Sequence, residues 1–437
     1  MAENREPSGY AWVVVSLLFI VALLNYLDRL MITTMRDPIR AEFVATNAQF
    51  GEITTIFLWV YAALSPLGGY LADRFSRSGV IVASLLFWSS ATLLSGVAHT
   101  FHQLLCARAL MGVSEACYIP AALALICDYH RGRTRSLATG LHMAGIYTGA
   151  ALGGVGGLIA ENYGWRAGFK AFGIVGIGYA LLLAVTLRDS QDDRAGAGES
   201  EVAGSASRTN ASRSNKAVRT ADPTQKVRPS AALAVLFGST GFQILFALNV
   251  LVGLANWAIY GWLPSYLKEH FQLGLGAAGL SATAYIQVAS FAGVLIGGAV
   301  ADRWSRTNPR ARALIPAIGF LAAGPCLMAS ASTTLLAVAI AGLIVFGLGR
   351  GAFDANHMPI LRQLVDQRYS ATGYGFLNMI STASGGLMIY IAGAMMDAHV
   401  SLAAVFKVCG AGLILCGLLL GFIRFRPVLQ PSEELVA

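Results

Sequence analysis

The amino-acid sequence predicts an all-α integral membrane protein whose twelve transmembrane helices form two pseudo-symmetric six-helix bundles. Three observations predict this fold class: few charged residues, twelve long apolar runs, and a motif that occurs once in each half of the chain. Of 437 residues, 56% are hydrophobic and 12% are charged, whereas about 25% are charged in an ordinary soluble domain. A folded core cannot hide so much apolar surface from water, so the lipid bilayer must be the solvent for much of this chain.

Each apolar run is long enough to cross a bilayer. A helix needs about 20 apolar residues to span a hydrocarbon layer of about 30 Å. The predicted spans cover residues 11–35, 50–72, 80–98, 103–127, 137–160, 166–187, 243–267, 277–301, 312–332, 335–360, 371–394 and 402–424. The first run is too long for a signal peptide and has no cleavage site, so we expect it to remain in the membrane.

A polar segment separates the sixth span from the seventh. Residues 188–242 are rich in Ser, Ala, Gly and charge and have almost no large apolar side chains, so they cannot bury enough surface to fold alone. We therefore expect an amino-terminal six-helix bundle at 1–187, a largely flexible cytoplasmic linker at 188–242, and a carboxy-terminal six-helix bundle at 243–437.

Lysine and arginine are distributed unequally among the predicted loops. With the amino terminus placed in the cytoplasm, the inner segments hold twenty-two of the 31 Lys and Arg residues. Because positively charged loops stay on the cytoplasmic side, we expect both termini of this multi-pass protein to lie inside the plasma (inner) membrane. The formal charge of +8 then follows from topology, and no nucleic-acid partner is expected. We expect a monomer within the lipid bilayer.

Cysteines and aromatic residues in the spans are expected to be structural. The six cysteines lie in apolar runs without a CxxC pair, which favours packing over a disulfide or zinc framework. Four aromatic residues toward the outer end of the seventh span are typical of an interfacial belt. They are Trp257, Tyr260, Trp262 and Tyr266.

An internal repeat relates the two halves. The sequence GGYLADRFSR follows the second span and GGAVADRWSR follows the eighth, with seven of ten positions identical. Such duplication is typical of transporters built from repeats, and the two motifs resemble the inner-loop motif of the major facilitator superfamily. The resemblance implies a latch whose Asp lies at a helix end or pairs with Arg across the halves; the alternative is that the charges only anchor the loop. The gating candidates are Gly69, Asp73, Arg74, Arg77, Asp302, Arg303 and Arg306.

Charged residues within the spans indicate a functional site. A charge at the bilayer centre costs at least about 2.5 kcal/mol, so these side chains must face each other or water. Glu115 follows Arg108 by seven residues, and Asp354 follows Arg350 by four, which puts each pair on one helix face. The full set is Asp28, Arg29, Arg108, Glu115, Arg350, Asp354 and His357. Alignment of MGVSEACY with FGLGRGAF places Glu115 opposite Arg350 in the repeat.

Two further sequences sharpen the resemblance. NYLDR, at residues 25–29, and GVSEACYIP, at residues 112–120, resemble signatures of the anion:cation symporter family and of the spinster family of lysolipid and sphingolipid transporters. The resemblance implies that Asp28 and Glu115 are proton sites. Arg29 is then either a ligand for a carboxylate or phosphate or the partner that controls Glu115. GWRAGFKAFGIVG and GWLPSYL are more similar to the anion symporters, whereas RGAFDANH departs from both families.

The remaining candidates have two interpretations each. We expect Arg350 to bind an anion, with Asp354 as its partner or as a further proton site. Arg108 is structural or binds substrate, and His357 titrates or packs. Polar residues of other spans bind substrate or join helices. The substrate-binding candidates among them are Tyr118, Tyr147, Asn256, Gln287 and Asn378, and Tyr61 is a further candidate for the cavity.

These features predict a proton-coupled secondary transporter that moves a small organic anion, such as a carboxylate or sugar acid, by alternating access. The alternative is a spinster-like transporter of lysophospholipid or sphingolipid-type amphiphiles, and a nutrient sensor with a transporter fold is a third possibility. No GxxxxGK sequence, metal-binding cluster or nucleophile elbow occurs, which argues against an ATP-driven pump and against an enzyme. We expect no cofactor, with protons as the coupling ion.

Overall fold

The computed structural model describes residues 9–130, 134–190, 235–365 and 369–423, except the side chains at 69, 72, 73 and 371. Within these residues, twelve helical spans are long and apolar enough to cross a membrane, and they are built from thirteen of the fourteen α-helices. The predicted fold class and the number of spans are therefore confirmed. The helices are α1 Gly9–Met31, α2 Arg36–Phe43, α3 Asn47–Arg74, α4 Arg77–Gly96, α5 Phe101–Tyr129, α6 Arg135–Leu152, α7 Val155–Tyr163, α8 Trp165–Thr186, α9 Thr240–Phe271, α10 Leu275–Trp304, α11 Ala311–Ser330, α12 Leu336–Leu364, α13 Ser370–Asp397 and α14 Leu402–Phe422.

Side-chain caps fix the beginnings of two helices that carry functional residues. At α3, the Thr46 hydroxyl accepts from the backbone N–H of Gln49, whose side chain accepts from the Thr46 backbone N–H. Thr100 and Gln103 form the same capping box before α5. These bonds satisfy N–H groups that have no partner within the helix, so both helices have a defined starting register.

The fifth span is interrupted, which the sequence did not predict. It consists of α6 and α7 with a break at Gly153 and Gly154. The Thr283 hydroxyl donates to the Ala151 carbonyl at 2.8 Å and accepts from the Gly154 N–H at 3.2 Å. A Cβ on Gly154 would lie 2.5 Å from the Leu280 backbone nitrogen. Only glycine permits this approach, and the threonine supplies hydrogen bonds that the helix lacks at its break.

Backbone packing divides the chain into two compact units. Unit 1 comprises Met1–Lys226 and Leu273–Thr283, and unit 2 comprises Val227–Gln272 and Ala284–Ala437. The first turns of α10 thus belong to unit 1. Most of the predicted linker, residues 191–234, lies outside the described residues, so the domain boundaries at 187 and 243 stay a prediction.

In unit 1, α5 packs against α3 and α4, α4 also packs against α8, and α1 packs against α6. Gly112 of α5 faces α3, where a Cβ would lie 2.7 Å from the Phe57 carbonyl oxygen. The helices approach so closely because glycine has no side chain. This contact brings the polar faces of α3 and α5 together with α1.

In unit 2, α9 packs against α13 and α14, and α11 packs against α12 and α14. The predicted aromatic belt on α9 is wrong, because Trp257, Tyr260, Trp262 and Tyr266 are all at most 9% exposed. The indole N–H of Trp262 donates to the Ile389 carbonyl of α13 at 3.0 Å. These rings fill the contact between α9 and its neighbours instead of lying in the headgroup region.

The cysteines differ in environment. Cys409 and Cys416 are buried in unit 2, as expected of packing residues, but Cys106 of α5 is exposed. The expectation that all six pack against protein is therefore wrong for Cys106.

Candidate functional site

Four charged side chains from two spans form a buried cluster among the described residues of unit 1. Asp28 and Arg29 come from α1, and Arg108 and Glu115 come from α5. All four are at most 3% exposed. Two acids and two bases so deeply buried balance each other in formal charge, which lowers the cost of keeping them away from water.

Arg29 pairs with Glu115. Its Nη2 donates to Glu115 Oε2 at 2.6 Å and its Nε donates to the same oxygen at 3.2 Å. The adjacent Asp28 is not its partner, because neighbouring residues on a helix point in different directions. Glu115 Oε1 has no hydrogen-bond partner among the described residues. The carboxylate thus holds Arg29 with one oxygen and keeps the other available.

Three aromatic rings surround the Arg29 guanidinium. Its central carbon lies 4.7 Å from the ring of Tyr26, 5.0 Å from that of Phe57 and 4.7 Å from that of Tyr61. Cation–π attraction of this kind contributes about 2 kcal/mol or more where water is excluded. The sequence analysis identified Tyr61 but missed Tyr26 and Phe57. The Phe-x-x-x-Tyr spacing on α3, which puts both rings on one face, is the signal that could have found Phe57.

Asp28 and Arg108 occupy the rest of this cluster. The Thr92 hydroxyl of α4 donates to Asp28 Oδ2 at 3.4 Å, and Arg108 Nη1 contacts Met111 Sδ at 3.0 Å. Arg108 also lies 5.1 Å from the Phe57 ring centre. Asp28 Oδ1 and the Nε and Nη2 of Arg108 have no hydrogen-bond partner among the described residues. Unit 1 therefore holds both donors and acceptors that can take new partners.

Unit 2 holds a more accessible pair on α12. Arg350 Nη2 lies 3.4 Å from Asp354 Oδ2, with side chains 18% and 34% exposed. The Arg350 guanidinium carbon is 5.0 Å from the Tyr260 ring centre. One turn earlier on α9 is Asn256, and neither its Oδ1 nor the Tyr260 hydroxyl has a hydrogen-bond partner in the described part of the chain. The sequence analysis assigned Tyr260 to the interface and so missed it.

His357 is packed between aromatic rings of unit 2. Its ring centre lies 4.9 Å from that of Phe353 and 5.2 Å from that of Tyr374. The imidazole is 8% exposed. This environment favours the packing interpretation of His357.

The weaker substrate-binding candidates are dispersed. The Tyr118 hydroxyl donates to the Leu18 carbonyl at 3.1 Å, so it joins α5 to α1. Tyr147 and Gln287 are buried in units 1 and 2 respectively, whereas Asn378 is exposed. Of the predicted polar residues outside the charged set, Tyr61 lies beside Arg29, and Asn256 is one helical turn from Tyr260, whose ring lies beside Arg350.

The first copy of the repeated motif is only partly described. The side chains of Gly69 and Asp73 lie outside the described residues. Arg74 is exposed and its Nη1 donates to the Tyr70 hydroxyl at 3.4 Å. Arg77 forms an ion pair with Asp128 of α5.

In the second copy, Asp302 Oδ1 lies 2.8 Å from Arg312 Nη2 of the same unit. Arg303 and Arg306 are exposed. Both loops thus carry an ion pair to a neighbouring helix of their own unit. Pairing of Asp302 across the two halves stays a prediction.

In the parts of the chain that the structure describes, no group of three or more His, Cys, Asp or Glu side chains is arranged to hold a metal ion.

Comparison with known proteins identifies a family. The family model described as the Major Facilitator Superfamily matches residues 18–307 and 245–435. The chain is similar to the "Probable sulfoacetate transporter" of Cupriavidus necator, with 27% identity over 91% of this chain and 89% of that protein. It is also similar to the "Probable L-galactonate transporter" of Escherichia coli, with 24% identity over 96% of this chain and 90% of that one.

The chain is also similar to spinster proteins. Protein spinster of Drosophila melanogaster is 26% identical over 89% of this chain and 62% of its own length. A bacterial homolog of the human lysosomal transporter Spinster, crystallised in an inward-facing and unoccupied conformation, superposes with a TM-score of 0.75. The alignment has 21% sequence identity and covers 97% of this chain and 100% of that one. At 21% sequence identity, this structural similarity establishes the fold alone.

Proposed function

Because the chain belongs to the Major Facilitator Superfamily, whose members are secondary transporters, we propose that it couples the movement of a small organic anion to the movement of protons by alternating access. The observation that carries this proposal is the buried pair of Arg29 and Glu115 in unit 1. It is an ion pair that an anion can open by binding Arg29, and the released Glu115 can then take a proton. The relatives named for sulfoacetate and L-galactonate suggest a carboxylate or sulfonate as the anion.

Arg350 is the first contact for the anion in this proposal. Its guanidinium is partly exposed and its bond to Asp354 is long, at 3.4 Å. A carboxylate can therefore replace Asp354 at small cost, since exposed ion pairs contribute at most about 1 kcal/mol. The Tyr260 hydroxyl and the Asn256 side chain supply further polar contacts, and Gln287 and Asn378 are retained as candidates for substrate hydroxyls.

Glu115 is the proposed proton carrier. Arg29 is enclosed by three rings and held by Glu115, so an anion reaches it only when that pair opens. Once Arg29 turns to the anion, Glu115 is left as an unpaired carboxylate in a buried site. Burial penalises the charged form, and Glu115 then takes a proton. Binding of the anion and of the proton are thereby linked.

Asp28 and Asp354 are proposed as additional proton sites, with smaller roles. Asp28 retains one oxygen without a hydrogen-bond partner among the described residues, next to the Glu115 pair, and Asp354 gives up its ion pair with Arg350 when Arg350 binds the anion. Arg108 is proposed to balance the charge of the cluster while Arg29 is engaged elsewhere. Tyr118 and Tyr147 are proposed to line the path of the substrate.

The repeated loops are the proposed gate. The ion pairs of Arg77 with Asp128 and of Asp302 with Arg312 tie each loop to its own unit, and exchange of these partners would accompany the change of access. We place the protein in the plasma (inner) membrane as a monomer with both termini in the cytoplasm. The bundles at 1–187 and 243–437 then move about the linker.

A ligand panel tests the proposed function. Purified protein is heated with sulfoacetate, L-galactonate, ascorbate or lysophosphatidylcholine, and the melting temperature is recorded. We expect at least one anion to stabilise the parent protein and to lose its effect in Arg350→Gln. Lys407→Gln, which removes an exposed cation of the same unit, is the control and should behave like the parent. Stabilisation by lysophosphatidylcholine alone would overturn the anion proposal and favour a spinster-like lipid transporter.

A further inference from the structure

Unit 1 has an apolar groove away from its charged cluster, between α3, α4 and α5. The groove has a volume of about 280 Å³. Six of its lining residues are Phe75, Val80, Ala83, Phe87, Val113 and Cys117. Phe75, Phe87 and Val113 are 58%, 49% and 41% exposed. Since these helices are membrane spans, the large apolar side chains at the rim contact the bilayer.

The interior of the groove offers nothing to a polar ligand. Its two serines use their hydroxyls within the protein: Ser84 donates to the Ser114 carbonyl at 2.5 Å. Ser114 in turn donates to the Met111 carbonyl at 2.9 Å. A ligand with hydrogen-bonding groups would have to leave them unsatisfied here, at a cost of several kcal/mol each. A hydrocarbon chain loses nothing by entering the same space.

The groove is short enough to lie within one leaflet of a bilayer. It begins at Phe75 and Val80, on either side of the loop that joins α3 to α4, and reaches Phe87 on α4. Seven residues separate Val80 from Phe87 on α4, which is about 10 Å along a helix. One leaflet, about half of the roughly 30 Å hydrocarbon thickness, can therefore contain the groove. The exposed Arg74, at the end of α3, supplies a cation suited to the headgroup region. The Ser76 hydroxyl and the Ser78 backbone N–H donate to Asp189 instead.

We propose that this groove is a binding site for one phospholipid of the bilayer. One acyl chain lies along Ala83 toward Phe87 and Val113, and the phosphate lies at the loop near Arg74. The occupant is a lipid of the membrane and not the transported substrate, so this inference is independent of the proposed function. The bound chain fills the space between three helices that pack directly against the buried charged cluster.

Photo-crosslinking in nanodiscs tests the site with the full chain. The probe is a phosphatidylcholine with a diazirine at the end of one acyl chain, and adducts are mapped by peptide mass spectrometry. We expect adducts at Phe87, Val113 and Cys117 to exceed those on the lipid-facing surface of α8 by about an order of magnitude. A probe with the diazirine next to the glycerol should move the adducts to Phe75 and Val80.

Two substitutions fill the groove, and a matched one does not. Ala83→Phe and, separately, Val113→Phe should each lower the groove adducts at least fivefold. Ala184→Phe adds the same ring to an exposed position of α8 and should leave them unchanged. Thermal unfolding identifies any variant that fails to fold, and the other variant then decides. If the adducts are spread evenly over all lipid-facing helices, the probe reports ordinary boundary lipid and the proposal is overturned. The proposal is also overturned if a folded groove variant keeps the same yield of groove adducts as the parent.

Discussion

Unit 1 and unit 2 hold their membrane-embedded charges in opposite ways. In unit 1, Arg29 and Glu115 are almost completely buried and joined at 2.6 Å. In unit 2, Arg350 and Asp354 are partly exposed and 3.4 Å apart. The first pair is enclosed by rings from two helices, whereas the second lies along one helix with the Tyr260 ring beside its arginine. The two arginines therefore differ in accessibility: Arg29 is 3% exposed and lies behind its partner and three rings, whereas Arg350 is 18% exposed.

The difference separates two tasks that a coupled transporter must perform. A buried pair responds strongly to a change in protonation, because an unpaired charge is costly there. An exposed pair exchanges partners easily, because water compensates each group. We infer that unit 1 senses the proton and unit 2 receives the anion.

The largest expected effect comes from Glu115→Gln. Uptake driven by a pH gradient should fall to background in proteoliposomes, because the glutamine cannot carry a proton. Counterflow exchange of the anion should be partly retained, since exchange needs no net proton movement. Equal dependence on the pH gradient in variant and parent would break the assignment of the proton to unit 1.

Arg29→Gln should reduce the stability of unit 1. Loss of the arginine leaves Glu115 without its counter-ion, and breaking a buried pair in this way costs about 3–5 kcal/mol. The double variant Arg29→Gln with Glu115→Gln should recover most of that loss, as measured by denaturant unfolding at pH 8. Arg350→Gln is the matched control in unit 2, where we expect at most about 1 kcal/mol. Similar losses for both arginines would remove the contrast between the units.

Phe57→Leu tests the ring enclosure separately from the ion pair. The leucine keeps an apolar side chain but removes a ring shared by Arg29 and Arg108. We expect a loss of about 2 kcal/mol from cation–π attraction. Phe406→Leu, a buried ring substitution in unit 2 next to Tyr266, serves as the comparison for lost volume alone. An equal loss at both sites would mean that the rings around Arg29 only fill space.

The smallest effect is expected at a surface pair of unit 1. Burial acts to raise the pKa of Glu42, but hydrogen bonds from Arg166 and Trp165 outweigh it and hold that pKa below its usual range. The contribution of ionised Glu42 to the stability of unit 1 is therefore present at neutral pH. It is lost as the pH falls through the lowered pKa of Glu42. Glu42→Gln should cost at most about 1 kcal/mol at pH 7. Unfolding curves of parent and variant should converge in acid; a gap that persists there would contradict this.

Local sequence signals were sufficient for the spans but not for their interruptions. Each transmembrane helix is marked by its own apolar run, so all twelve could be predicted. The break between α6 and α7 depends on Thr283, which is about 130 residues away in sequence, and no local pattern reports such a partner. The same applies to α9, whose aromatic residues have the composition of a belt but pack against α13 and α14.

The charged residues could be identified from the sequence, but their partners could not all be assigned. The cost of a charge in lipid singled out Asp28, Arg29, Arg108 and Glu115. The resemblance left two roles open for Arg29, and the packing of α1 against α5 places it on Glu115. Tyr26, Phe57 and Thr92 were missed because uncharged side chains are common in spans, and only the tertiary contacts distinguish these three.

The most direct test of the account is to count protons when the anion binds. Purified protein in weak buffer with a pH-indicator dye is titrated with the anion that gives the largest thermal shift. The account predicts uptake of about one proton for each anion bound by the parent, and much smaller uptake by Glu115→Gln even where the anion still binds. Binding without proton uptake in the parent, or equal uptake in Glu115→Gln, would contradict the claim that Glu115 links the proton to the anion.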